Sequence, residues 1–247
     1  MSFDYPKPDL TAHEQTDLGP NARRLYEVTQ QFSNATYVDL GVREGWSSSI
    51  LCSNSVPLNN TIYGVDVDFT SLKFNLVQGQ NYKTILGDSV TVGKNWGLPQ
   101  TEKGPVEIVF VDTIHVEQQV LCELYYWVPQ IVEGGYVIFH DTHWPNWLVE
   151  NVGGVQWPQP VGGVLKYFGL SEMADYEDGF IQVKTYPDSY GMTFVKIKKQ
   201  KDFRSNVHNW AQVFDDRNRL ISMLVQGPSK VMEIDHVLTP STTPIVL

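Results

Sequence analysis

The sequence predicts an α/β fold: a doubly wound, mostly parallel sheet closed by an antiparallel hairpin, with a helical N-terminal cap and a C-terminal extension. Three observations lead there. Five short apolar segments alternate with segments of helical period. Each of the five carries an aspartate at or near its end: Tyr37–Gly41 (Asp39), Tyr63–Asp66, Ile85–Asp88, Val109–Asp112 and Val137–Asp141. Two alternating segments then flank Pro187-Asp188-Ser189-Tyr190-Gly191, which reads as an antiparallel hairpin. Right-handed crossovers make the first five strands parallel, and their carboxyl ends line one crevice. A row of carboxylates on that rim suits ribose hydroxyls, an amine, a cation or a metal ion, and does not suit a bare phosphate.

The elements follow in order. Residues 1–18 are rich in Pro and Asp and read as an extended arm. Gly19-Pro20 opens a helix to about Ser33, with Leu25, Val28 and Phe32 on one face. Thr36 to Leu40 is the first strand, and a glycine-containing turn leads into a helix from Trp46. Thr61 to Asp66 is the second strand, Phe69 to Gln78 a short helix, and Tyr82 to Leu86 the third strand. Gly93 to Gly104 reads as a polar connection. Val106 to Val111 is continuously apolar, as in a strand covered on both faces. Glu117 to Val132 has helical period and is expected to end at Glu133-Gly134-Gly135, before a strand over Tyr136 to Phe139. His143 to Gly163 is rich in Trp, Pro, Asn and Gly without a period, and loops of that length are usually functional. Val164 to Met173 reads as a helix, Phe180 to Tyr186 and Met192 to Lys198 as the hairpin, and 203–226 as helical. The expected organisation is an N-terminal arm and helix (1–35), a core domain (36–200) and a C-terminal extension and tail (201–247).

Composition narrows the function. The formal net charge of -10 argues against a nucleic-acid surface, which needs clustered Lys and Arg. Two cysteines in apolar stretches, Cys52 and Cys122, read as buried thiols of a cytoplasmic protein. The polar N-terminus carries no signal-like apolar run, and no segment approaches the roughly 20 apolar residues of a membrane helix.

The first turn reads Asp39-x-Gly41-x-x-x-Gly45-x-Ser47. Glycines there allow close backbone approach to a ligand at a helix start. Arg43 stands where a dinucleotide fingerprint has its middle glycine, so a pyrophosphate is disfavoured. Asp66 ends the next strand about twenty residues on, where a carboxylate grips both ribose hydroxyls.

Together, Gly41 to Ser47, Asp112-Thr113-Ile114-His115 and Gly134-Gly135-Tyr136-Val137-Ile138-Phe139-His140-Asp141 resemble class I S-adenosylmethionine-dependent methyltransferases. Over about residues 36–200 the chain is similar to the branch that includes small-molecule O-methyltransferases and cephalosporin-hydroxylase-like proteins, and the resemblance implies a Rossmann-like seven-stranded sheet in the order 3-2-1-4-5-7-6. The resemblance implies that Asp39 and the turn Gly41, Val42, Arg43, Glu44, Gly45, with Ser47, hold the methionine end of S-adenosylmethionine. Asp66 would bind the ribose. Asp88 and Ser89 would flank the adenine, with Asp88 accepting from the exocyclic amine, unless Gly87-Asp88 is only a turn. Asp112 would close the cofactor site.

Asp112, His115, His140, Asp141 and His143 form a second constellation. Two carboxylates at neighbouring strand ends need a cation between them or a raised pKa. Related metal-dependent O-methyltransferases place a divalent cation at this point, which implies Asp112, His140 and Asp141 as ligands of Mg²⁺ or Mn²⁺. The alternative is that Asp141 bonds the substrate and His140 points into the sheet. His115 stands where catechol-type relatives place a lysine, and an imidazole titrating near neutrality can take a hydroxyl proton. Catalysis is thus expected from His115, Asp112 and Asp141. His143 and Trp144 could shape a pocket for a small hydroxylated acceptor. Two other functions stay open on these residues: a metal-dependent oxygenase or hydroxylase on the same sheet, and a nicotinamide-binding oxidoreductase. The N-terminal helix and residues 203–247 are candidate interfaces of a homo-oligomer.

Overall fold

The computed structural model describes residues 9–97, 104–143, 150–152 and 154–226. Two short helices, α1 (Thr11–Glu14) and α2 (Asn21–Thr29), precede strand β1 (Thr36–Leu40). The chain then forms α3 (Trp46–Cys52), α4 (Ser55–Leu58), β2 (Thr61–Asp66), β3 (Tyr82–Leu86), α5 (Ser89–Asn95), β4 (Val106–Val111), α6 (Glu117–Trp127) and β5 (Ile131–His140). Beyond it lie β6 (Glu150–Val152), β7 (Val155–Trp157), α7 (Pro160–Phe168), β8 (Tyr176–Glu177), β9 (Ile181–Tyr186), β10 (Met192–Ile197) and α8 (Trp210–Gln226).

The main sheet runs β3-β2-β1-β4-β5-β10-β9-β8. Its first five strands are parallel and the last three antiparallel. This is the expected order with one two-residue strand, β8, added at the edge. Consecutive side chains leave a strand on opposite faces, so each central strand feeds two cores. Val38 and Leu40 of β1 join one core with Val109, Val111, Val137 and Phe139, and α6 and α7 cover it. Tyr37 joins the other with Ile108, Phe110 and Ile138, covered by α2 and α3. Burial on both faces explains why these strands read as unbroken apolar runs.

Several local expectations are corrected. Helix α6 stops at Trp127 rather than Val132, because Pro129 tightens the next residues into a 3₁₀ turn, Val128–Gln130. Gly134 and Gly135 therefore lie inside β5 and not at a helix end. A Cβ on Gly135 would sit 2.7 Å from the Glu107 carbonyl oxygen, and the β4–β5 register shifts beside it. The stretch 89–95 is helical because Asp88 caps it, accepting from the Thr91 backbone N–H at 2.9 Å. Only Phe74–Leu76 forms a 3₁₀ turn where a helix over 69–78 is expected. Helix α7 begins at Pro160 and ends at Gly169, whose φ is +71°, so it lies about one turn earlier than 164–173. The long loop contains a small hairpin, β6–β7. The arm includes the helical turn α1. No helix among the described residues is long and apolar enough to cross a membrane.

Candidate active site

The turn after β1 is shaped by its neighbours. Gly41 has φ +88°, and a Cβ there would lie 2.0 Å from the carbonyl oxygen of Asp112. No side chain fits between these two strand ends. Gly41 N–H donates to Val65 O, and Asp112 N–H donates to Leu40 O, both at 2.9 Å. Asp66 braces the turn by accepting from the Arg43 backbone N–H at 2.9 Å. Arg43 itself takes φ +49°.

Asp39 is fully buried and lines neither cavity described below, which corrects its expected contact with the methionine end. Its Oδ2 accepts from Ser47 at 2.9 Å and Ser48 at 2.5 Å, so it pins the start of α3 beneath the turn. Val42, Arg43, Glu44 and Ser47 do face the crevice.

At the ends of β4 and β5, His115 Nε2 lies 2.8 Å from Asp141 Oδ2 and 3.3 Å from Asp112 Oδ1. One donor atom from each of Asp112, His115 and Asp141 lies within 4.8 Å of the others. Asp141 takes φ +58°, a conformation that a carboxylate residue tolerates better than most and that clusters at functional sites. That twist turns its carboxylate across the crevice mouth. His140, still in the strand, remains behind. Its Nδ1 stands 3.2 Å from Asp141 Oδ1 and 3.6 Å from Asp112 Oδ2, and its side chain is 1% exposed. The structure thus places His115, in front, where His140 is expected among the metal-facing groups. His140 Nε2 has no hydrogen-bond partner among the described residues.

The charges explain this packing. Burial alone would depress both histidines, but Asp112 and Asp141 outweigh it and raise His115 to about 10 and His140 to about 11. Burial opposes ionisation of Asp112 and Asp141, yet the two imidazoles hold both carboxyls below the usual range. The expectation that His115 titrates near neutrality is therefore corrected for this form: it stands as a cation between two carboxylates. Asp141 Oδ1 is buried without a hydrogen-bond partner among the described residues.

Two cavities open on this rim. One, of about 350 Å³, runs from Thr16, Asp17 and Leu18 past the Gly41–Glu44 turn to Asp112, His115 and Asp141. The other, of about 340 Å³, runs from Asp66 past Asp88 and Ser89 to Arg217 and Ile221 of α8. They share Gly41, Arg43, Asp112 and Thr113. Thr16–Leu18 and Arg217 are wall residues with no sequence motif to announce them. The amphipathic spacing of 210–226 was the one available signal for Arg217.

Asp88 is not free to serve adenine alone. Its Oδ2 accepts from Thr91, and its Oδ1 pairs with the Arg217 guanidinium. His143 lines neither cavity: it packs on the β9–β10 hairpin, donating its backbone N–H to Tyr190 O at 2.6 Å. This corrects its expected place in an acceptor pocket. Trp144 lies outside the described residues.

Ser89 rests on a buried acid. Glu123 Oε1 accepts from Ser89 at 2.5 Å, and from Thr113 and Gln119 at 2.8 Å each. Burial nevertheless pushes its carboxyl up to about 7, from an ordinary value of 4.5. Between those values the native state holds a proton that the unfolded chain has lost, so stability falls as pH rises through that window. Asp39, pushed up to about 7 from 3.8 by its own burial, acts in the same direction. Glu123→Gln should therefore gain stability relative to wild type as pH rises from about 5 to about 8, with a shallower loss of melting temperature. Parallel melting curves for the two proteins across that range would refute the burial argument.

Residues 38–142 match a family described as a methyltransferase domain. That match covers less than half of the chain and coincides with strands β1 to β5 of the sheet. Among solved structures it is similar to the MycE methyltransferase of the mycinamycin biosynthetic pathway, in complex with Mg, SAH and mycinamycin VI. The identity is 20% and the TM-score 0.51, over 78% of this chain and 55% of that one. A second MycE structure, with Mg and SAH, is covered over 61% of its length, so the chain spans less than two thirds of these relatives. The O-methyltransferase TomG from Streptomyces achromogenes, involved in tomaymycin synthesis and in complex with SAM, is 12% identical. Its TM-score is 0.54, over 80% of this chain and 93% of that one. At these identities the likeness is one of fold. No curated protein matches the sequence. The methyltransferase match supports neither the nicotinamide nor the oxygenase alternative.

Proposed function

We propose that the chain methylates an oxygen of a small hydroxylated acceptor, with residues 36–200 as the catalytic unit of a cytoplasmic enzyme. One observation carries this: two cavities meet at Gly41 and Asp112, and a carboxylate–imidazole cluster stands at the far end of only one of them. A bent nucleoside–amino-acid cofactor fits the pair, with its nucleoside beside Asp66 and its amino-acid end beside the Gly41–Glu44 turn. The site fits S-adenosylmethionine because the Gly41–Asp112 contact leaves a cradle with no side chain and the walls are acidic. When bound, that cofactor supplies a methyl group on a positively charged sulfur.

The chain's own residues do the rest. The turn and Asp66 fix the cofactor, and Thr16–Leu18 close the acceptor side. Asp112 and Asp141 gather positive charge where the acceptor hydroxyl must lose its proton. Positioning and deprotonation are what a protein must supply to this reaction. The donor set of Asp112, His115 and Asp141, with a buried, unbonded Asp141 Oδ1, also fits a divalent cation rich in oxygen ligands. Mg²⁺ or Mn²⁺ there would act as a Lewis acid towards the acceptor oxygen. His115, protonated, is the cation that holds the two carboxylates together; a divalent cation in its place would release that proton and free the imidazole as a ligand or base.

Supplying methyl-labelled S-adenosylmethionine with a panel of phenols, sugars and hydroxylated macrolides tests the proposal. Label should appear in O-methyl products. Label confined to amines or carbon atoms would overturn it.

A further inference from the structure

We propose that α8 is a cofactor clasp in which Arg217 positions the adenine base through Asp88. This rests on reading the cavity beside Asp66 as the adenosine end. Helix α8 lies outside the residues that match the methyltransferase family. Its inward stripe, Val213, Phe214, Arg217, Leu220, Ile221 and Leu224, is apolar at helical spacing except for one arginine. That arginine is 8% exposed. Its Nε donates to Gln119 Oε1 at 3.0 Å and its Nη2 pairs with Asp88. A buried ion pair in an apolar stripe rarely adds stability over an apolar side chain of similar volume. Its position explains it better: Arg217, Ile221, Leu224 and Val225 form the wall facing Asp66 and Ser89 across the cavity.

The helix is built to hold at one end and cover at the other. Trp210 and Phe214 pack edge-on against Tyr125 of α6, with ring centroids 4.6 and 5.3 Å apart. The second half rests on the fully buried Leu220, packed against Val116, Val152 and Trp157, and then overhangs the cavity. Asp88 and Arg217 stand side by side there, an acceptor beside a donor. An aminopurine edge offers the complement: an exocyclic amine next to a ring nitrogen that accepts. A 6-oxo purine presents the opposite order. Each carboxylate oxygen accepts more than one hydrogen bond, so Asp88 keeps capacity for the amine while paired. Arg217 is thus a positioning and specificity residue, and the apolar side chains beyond it shield one face of the base.

Titration calorimetry on the full chain tests this with S-adenosylhomocysteine and its 6-oxo counterpart, S-inosylhomocysteine. Wild type should prefer the former by at least about tenfold, the worth of one charge-assisted hydrogen bond. Arg217→Met should weaken S-adenosylhomocysteine by about tenfold and narrow that preference, and Arg217→Lys should recover part of both. In wild type, S-adenosylhomocysteine should slow hydrogen exchange over 217–225. Should Arg217→Met fail to fold, Ile221→Ser takes its place and should bind S-adenosylhomocysteine several-fold more weakly. Variants that bind with wild-type affinity and preference would overturn the clasp and leave the cofactor assignment standing. A wild-type chain that binds neither ligand would overturn the assignment and the clasp together.

Discussion

Asp141→Asn is expected to lower methyl transfer by about two orders of magnitude or more, while S-adenosylhomocysteine binds within a few-fold of wild type. The substitution keeps the shape of a side chain that is 8% exposed and removes only its charge. Three consequences follow from the geometry. His115 loses its 2.8 Å ionic partner, so the cluster holds one carboxylate, Asp112, against two imidazoles. The acceptor oxygen loses the negative site that stabilises a proton or cation beside it. A divalent cation loses an oxygen ligand that it cannot replace from the buried side. The cavity assigned to the nucleoside is untouched, because Asp141 lines only the other one, beyond the Gly41–Glu44 turn. Two measurements check this: turnover with an acceptor found in the methylation panel, and the melting temperature with and without Mn²⁺. Wild type should melt higher with Mn²⁺ and Asp141→Asn should not respond. A variant that keeps wild-type turnover would remove Asp141 from the reaction. A wild-type protein indifferent to both Mg²⁺ and Mn²⁺ would remove the metal and leave His115 as the group between the carboxylates.

Gly41→Ala should be strongly damaging for the addition of a single methyl group. Two costs coincide. A positive φ is unfavourable for alanine by about 1 kcal/mol. The added Cβ would also overlap the Asp112 carbonyl oxygen at 2.0 Å, and a backbone atom held by its own strand cannot swing away. Overpacking of this kind costs about 1–3 kcal/mol. The sum, about 2–4 kcal/mol, corresponds to a melting-temperature loss of roughly 4–16 °C in a chain of this size. Prising Asp112 away from the turn also disturbs the residues at which the two cavities meet, so S-adenosylhomocysteine binding should fall with stability. Gly79→Ala is the control. Gly79 has φ +77° and nothing within 4 Å of the added Cβ, so only the dihedral cost of about 1 kcal/mol applies. Equal losses in the two variants would show that the contact with Asp112 is not what makes Gly41 necessary.

The strands were legible because a parallel sheet covered on both faces writes itself as apolar runs. Thr36–Leu40, Thr61–Asp66 and Val106–Val111 fall where the sequence puts them, and so does the edge strand Tyr82–Leu86, which is largely exposed and carries no such run. The aspartates at their ends placed the rim. Chain ends of helices were less legible, since Pro129 and the Asp88 cap act over one turn and compete with an apolar period that runs through them. The exchange of His140 for His115 turned on a single dihedral at Asp141, which no spacing rule gives. Arg217 lies 129 residues from Asp88, and an arginine in an amphipathic helix reads as surface until a partner is known. His143 looked like a pocket residue by proximity to Asp141, but the next strand pair claims it: a Cβ on Gly191 would lie 2.6 Å from its backbone nitrogen.

Calorimetric titration of the wild-type chain with S-adenosylhomocysteine and, separately, with NAD tests the central claim most directly. A single site saturating with S-adenosylhomocysteine, and no heat of binding with NAD, is the predicted result. Binding of NAD, or no binding of S-adenosylhomocysteine at millimolar concentration, would contradict the assignment of the two joined cavities to one sulfonium nucleoside.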